Sequence, residues 1–179
     1  MSWGLLEAAL RKVSSGGSFK LAPGATPEAL DALEGVIGRK LPDSFRRTWS
    51  EHSGFRPEPF SLLELLGARA MASEWLGLRD YDGLSGEAET IGPVKALWTN
   101  RAWIPFVLIG GETRHLCLDL DPAPGGRVGQ VIHATPKWEQ RRVIAPGVDE
   151  LLALLASAVA EGRYQLDGDS LDVCDALGI

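Results

Sequence analysis

The sequence has only two cysteines, Cys117 and Cys174, far apart and outside any Cys-x-x-Cys spacing. That excludes a disulfide framework and a zinc knuckle, and it points to a reducing compartment. Long apolar runs are missing too: no stretch approaches the ~20 residues that a helix needs to cross a bilayer. The opening residues, Met1-Ser2-Trp3-Gly4-Leu5-Leu6-Glu7, place no basic leader before the apolar positions and reach an acid at once, unlike a secretory signal. The expectation is a cytoplasmic protein without a membrane partner. Positive charge is in deficit, 18 Lys and Arg against 24 Asp and Glu for a net charge of −6. A nucleic-acid backbone is therefore an unsuitable partner, since phosphate binding needs a positive face. Histidine is scarce: His52, His115 and His133 show no metal-ligand spacing, and no Gly-x-Ser-x-Gly elbow seats a serine nucleophile. No metal and no cofactor are expected.

What remains is ordinary globular material, 179 residues with 45% hydrophobic and 23% charged side chains. A chain of this length buries roughly 70% of its unfolded surface, so residues 1–179 are read as one domain. Leu5, Leu6, Ala9, Leu10 and Val13 recur at helical spacing behind Ser2 as a cap, and Ser14-Ser15-Gly16-Gly17 stops the run. Thr26-Pro27-Glu28 opens a second helix through Leu30, Leu33 and Ile37, with Gly38 as its stop. Leu41-Pro42-Asp43 begins a third, with Phe45 and Trp49 one turn apart and Ser53-Gly54 as its end. Ser61-Leu62-Leu63-Glu64 has capping-box spacing, which predicts a fourth helix from the early sixties to about Leu76. Residues from Gly77 to Gly92 read as a surface loop.

The second half changes period. Trp103 to Ile109 is rich in β-branched and aromatic residues and closes on Gly110-Gly111, a strand followed by a hairpin turn. The next stretch alternates, with Leu116, Leu118 and Leu120 on one face and His115, Cys117 and Asp119 on the other, as in a half-buried antiparallel strand. Strands at Val128 to Ala134 and Arg141 to Ala145 complete a meander, and Pro105 belongs near a strand start or on an edge. Val148, Leu151, Leu152, Leu155 and Val159 then form an apolar helix face that must pack on the sheet. The tail from Arg163 to Ile179 reads as either a short strand or a last helix near Leu171 to Leu177.

The ordered set Thr26-Pro27-Glu28, Leu33-Glu34, Leu41-Pro42, Phe45-Arg46 and a turn at Ser53-Gly54 resembles the opening of SUKH superfamily proteins. Trp103-Ile104-Pro105, Gly110-Gly111, the run Leu116 to Pro122 and the run Gly126 to Ile132 extend the likeness. It spans about residues 26 to 155. The departure is Ser53-Gly54-Phe55, where the family often has an Asn-Gly turn. The resemblance implies an α+β fold with an antiparallel or mixed sheet of about four to six strands backed by helices. It also implies binding rather than catalysis: the family takes in fungal cell-wall assembly regulators and bacterial immunity proteins against polymorphic toxins. No shared catalytic motif comes with it.

Asp119 and Asp121 share a strand face in an Asp-x-Asp pattern that a divalent cation favours, but Asp121 enters a Pro-Gly loop where a carboxylate accepts backbone N–H bonds. Gly125-Gly126-Arg127-Val128-Gly129 lacks the Lys-Ser/Thr ending of a phosphate loop and leads into a strand. Trp3, Trp49 and Trp75 lie in helical apolar patterns. Trp98, Trp103 and Trp138 flank loops beside Arg101, Lys137, Arg141 and Arg142, where either burial or an interface accounts for them. The candidate partner-binding set is Trp98, Arg101, Trp103, Asp119, Asp121 and Trp138. The function expected first is an immunity protein that grips a cognate toxin, next a regulatory scaffold, and third an enzyme whose carboxylates Asp119, Asp121 or Glu112 converge in a pocket.

Overall fold

The structure is a computed structural model, and it describes residues 2–13, 20–56, 59–110, 114–136, 139–167 and 170–179. The expected helix stop at Ser14 to Gly17, the second hairpin glycine Gly111, Glu112, Lys137 and Trp138 lie outside the described residues.

The helices follow their apolar spacing. Helix α1 (Ser2–Val13) buries Trp3, Leu6, Ala9 and Leu10, one stripe at helical period. Helix α2 (Pro27–Ile37) starts where Thr26 accepts the Ala29 N–H at 3.2 Å, and it ends on Gly38 at φ 66°, a left-handed cap whose N–H returns to Glu34. Helix α3 (Asp43–Glu51) turns Phe45, Thr48 and Trp49 inward. The Phe45 ring stacks on Trp49 at 4.7 Å, and both meet Phe106 edge-on at 5.7 and 5.4 Å. Each such pair adds about 0.5–1.5 kcal/mol beyond area burial. Ser53-Gly54 does not end α3 in a turn: His52 is already extended, and strand β2 (His52–Arg56) runs antiparallel to β1 (Lys20–Pro23). The turn signal is local, while the partner strand lies thirty residues upstream, beyond the reach of local reading.

A second correction concerns the fourth helix. Leu63–Leu65 is strand β3, buried-exposed-buried, and helix α4 begins only at Ala68 and runs to Gly77. The capping-box letters Ser61 and Glu64 are overruled because Leu63 and Leu65 fit period 2 against a hydrophobic neighbour strand, β5 (Trp103–Ile109). After α4 a 3₁₀ turn (Leu78–Tyr81) leads to β4 (Glu89–Ile91), so the expected surface loop contains a strand.

Strands β6 (Arg114–Asp119), β7 (Gln130–His133) and β8 (Gln140–Ala145) complete a six-stranded mixed sheet in the order β3-β5-β6-β7-β8-β4. The meander is antiparallel throughout, Ile104 facing Leu118 and Leu118 facing Val131, and β4 adds at the far edge in parallel to β8. Pro105 sits inside β5 next to a bulge, beyond the reach of the short β3, which is where a strand tolerates a missing N–H.

Both faces of the sheet are covered. On one, Leu116, Leu118 and Val131 join the main core with α5 (Val148–Ala160), whose buried residues include Leu151, Leu152 and Leu155, and α1 lies along α5. Leu120 packs there only partly buried. On the other face Val94, Trp103, Cys117, Ile132 and Ala134 make a second cluster. β6 is therefore buried on both faces and not half-buried as its alternation suggested, with His115, Cys117 and Asp119 all closed to solvent. In the tail both readings hold in part: β9 (Gln165–Asp167) pairs with β10 (Ser170–Asp172), and α6 (Cys174–Leu177) follows.

Candidate functional site

The second face is closed by the chain between β4 and β5. Two side chains of the sheet hold that segment down. Gln130 on β7 donates to the Pro93 carbonyl at 2.9 Å. Arg141 on β8, with no exposure, donates to Leu97 at 3.1 Å, Trp98 at 2.8 Å and Gln140 at 3.0 Å. Its guanidinium lies 5.8 Å from the centre of the Trp103 ring. Burial pulls the Arg141 pKa down to about 10, still far above neutrality, so the cation persists and its donors stay committed to carbonyls. Gly86 meets the underside of the Trp98 ring, where an added Cβ would lie 2.5 Å from Nε1.

The outer side of the segment is laced with ion pairs. Asp121 accepts Lys95 at 2.6 Å and Asn100 at 3.1 Å, and those partners hold its carboxyl below the ordinary range. Arg101 donates to Asp82 at 2.9 Å, while its carbonyl accepts the Trp75 indole N–H at 3.0 Å. Arg79 stacks over Trp75 at 4.3 Å and reaches Asp82 at 3.4 Å. A loop tied at this many points is preorganised, which lowers the entropy lost when a partner docks.

Of the expected site residues, the structure brings Trp98, Arg101 and Asp121 together on this loop and its neighbour, Arg101 exposed and the other two partly so. Trp103 and Asp119 are buried, which removes both from direct contact with a partner. Trp103 is fixed there by register, opposite Asp119 across β5 and β6 in the second core cluster. The Asp119 carboxylate accepts the Asp121 N–H at 3.0 Å and Gln130 at 2.9 Å. Burial raises its pKa, the Asp121 amide, Gln130 and Trp103 oppose the rise, and the Asp121 charge adds to it. The Asp-x-Asp pair thus builds a turn, one carboxylate inward and one outward, and does not converge on a common pocket. Trp138 lies outside the described residues.

Sequence reading named Arg141 beside the loop tryptophans but missed its burial, although alternation along β8 places it on the face of Val143, a signal that it points inward. It also missed Glu34. That carboxylate is 4% exposed and accepts Arg46 at 2.7 Å, Lys40 at 2.6 Å and the Leu41 N–H at 3.0 Å, clamping α2 to α3. A separate cleft of about 590 Å³ between α2 and α4 is lined by Ala25, Ala29, Ser53, Gly67, Ala68 and Ala70 with Arg69 and Glu74. Among the described residues no helix is long and apolar enough to cross a membrane.

Two fungal proteins share part of this sequence. A glucan synthesis regulatory protein of Neurospora crassa is 31% identical over 77 residues, 43% of this chain and 14% of its own length. KNR4/SMI1 homolog 2 of Debaryomyces hansenii is 28% identical over 81 residues, 44% of this chain and 13% of its own. The matched stretch is thus a small part of each relative. A family model matches residues 24–154, from the start of the α2–α3 clamp through most of α5, and on that match the chain belongs to the SMI1 / KNR4 family (SUKH-1).

Proposed function

We propose that this chain is a single-domain, cytoplasmic immunity protein that neutralises a cognate bacterial toxin by binding it directly, without catalysis. The observation that supports this most is the preorganised loop bearing Trp98 and Arg101 beside Asp121, held from beneath by the buried Arg141. Tryptophan and arginine on a rigid support are the residues that concentrate binding energy at protein interfaces. Two of the three carboxylates named for the enzyme reading are committed elsewhere, Asp119 to a turn and Asp121 to Lys95, and Glu112 lies outside the described residues. Both cysteines are buried free thiols, which fits a reducing compartment. The net charge of −6 suits a toxin with a basic surface, such as a nuclease. Co-expression with candidate toxin domains, first of all any encoded by a reading frame beside its gene, tests the reading. Survival of the host, with a stoichiometric complex of the purified pair, supports it; turnover of a small molecule by the chain alone, or no complex at low salt, contradicts it.

The two fungal relatives favour a second reading, a regulatory adaptor with a weaker and more exchangeable partner. An isolated gene with no toxin reading frame beside it, and a complex that exchanges quickly, would select it.

A further inference from the structure

We infer that Asp119 and Gln130 are positioning residues of the binding loop, a buried pair that fixes Asp121, Lys95 and Asn100 as one outward-facing polar group. The inference rests on the binding reading above and supplies the buried residues that prepare its surface for a partner.

The hydrogen bonds around this pair close on themselves. The Gln130 carboxamide is 2% exposed and donates both of its protons, to the Pro93 carbonyl and to the fully buried Asp119 carboxylate, each at 2.9 Å. Its oxygen accepts the Arg127 N–H at 3.2 Å. The other oxygen of Asp119 accepts the Asp121 N–H at 3.0 Å. Asp121 then reaches back to the segment that begins at Pro93, accepting Lys95 at 2.6 Å and Asn100 at 3.1 Å. Asn100 in turn accepts the Ala102 N–H at 2.9 Å. A circuit therefore runs from Pro93 through Gln130, Asp119 and Asp121 to Lys95 and Asn100, and returns to the chain it left. Arg141 holds the Leu97 and Trp98 carbonyls between those points, so the loop is anchored twice from beneath. Surface groups held by packed and hydrogen-bonded neighbours keep the geometry that recognition needs.

The pair is directional. A carboxylate only accepts, whereas a carboxamide donates and accepts, so at neutral pH a glutamine serves Asp119, Pro93 and Arg127 together and a glutamate does not. The groups that face Asp119 are the Asp121 amide and charge, the Gln130 carboxamide, the Trp103 indole and the Cys117 thiol, none of them a cation. A second carboxylate placed beside it would meet no compensating charge among these groups.

The test replaces Gln130 by glutamate, which has the same shape and a titratable end. In Gln130→Glu two buried carboxyl groups face each other; they share a proton at low pH, and once both ionise they repel and leave Pro93 without its donor. Amide hydrogen exchange, corrected for intrinsic rates, is followed by NMR on the full chain at about pH 5 and about pH 8, where melting transitions confirm folding. Relative to the parent, the Asp121 and Ala102 amides of Gln130→Glu should exchange at least about tenfold faster at the higher pH than at the lower. Ala102 is the distant reporter, tied to Asn100 on the far side of the circuit. The double variant Asp119→Asn, Gln130→Glu again sets a donor against a carboxylate and should lose the pH dependence. Equal protection at both pH values, or a change confined to the Arg127 amide that Gln130 holds directly, would overturn the inference. A candidate toxin domain chosen by rescue on co-expression gives the second readout: its affinity for Gln130→Glu should fall with the same pH profile and return in the double variant. Undiminished binding of that toxin to a loosened Gln130→Glu removes the pair from recognition but keeps the immunity reading. The pH-dependent exchange with no toxin bound by the parent keeps the pair as organiser of this surface and removes that reading.

Discussion

Arg141 donates to the carbonyl oxygen of Trp98 at 2.8 Å from a position that solvent does not reach. The same planar fork serves Leu97 and Gln140, a geometry that one lysine ammonium does not reproduce. This contact carries the loop with Trp98 and closes the second face of the sheet.

Arg141→Met should leave those part-buried carbonyls without their donor at a cost on the order of 3 kcal/mol, and Arg141→Lys should recover part of it. Urea unfolding measures both. A methionine variant as stable as the parent would show that the loop is held by apolar packing alone.

The pH dependence of stability has two acid-side components of known sign. Burial, followed by the charges of Arg114, Arg141 and Arg142, lowers the His133 pKa from its ordinary 6.5 to about 4. Between those values the unfolded chain binds a proton that the folded one refuses, so stability falls as pH drops from 6.5 towards 4. Burial acts on Glu34 in the raising direction, but Lys40, the Leu41 amide and Arg46 outweigh it and hold the carboxyl at about 2. Its contribution is complete above pH 4.5 and is lost as pH falls from 4.5 towards 2. Melting curves should show His133→Gln flattening the first window, and Glu34→Gln lowering stability at neutral pH and flattening the second. Variants that keep the parent slope in their window would contradict these assignments.

Leu118, closed to solvent at the centre of the meander, should cost roughly 2–5 kcal/mol when replaced by alanine, read from the urea midpoint at an unchanged slope. An unaltered midpoint would remove Leu118 from the core.

Much of the fold was legible because its signals are local. Thr26, Pro27 and Gly38 bracket α2 with cap chemistry, and the leucines of β6 announce their strand by alternation. What failed depended on distant partners. Ser61 to Glu64 spells a helix start, but only β5 makes Leu63 and Leu65 a strand. Ser53-Gly54 spells a turn, but β1 draws it out straight. At the site, Trp98, Arg101 and Asp121 were visible as loop-flanking aromatic and charged residues. Burial was one of two readings for Trp103 and was not visible for Asp119, because the segment over them is held down by Arg141 and Gln130, which lie far along the chain.

The most direct test of the central claim is titration calorimetry of a candidate toxin domain, chosen by rescue on co-expression, against the parent, Trp98→Ala and Arg101→Ala. Binding by the parent, with a loss of about 2 kcal/mol or more at either substitution and unchanged melting temperatures, is the result expected of a hot spot on a preorganised loop. No binding by the parent, or equal affinity for all three proteins, would contradict it.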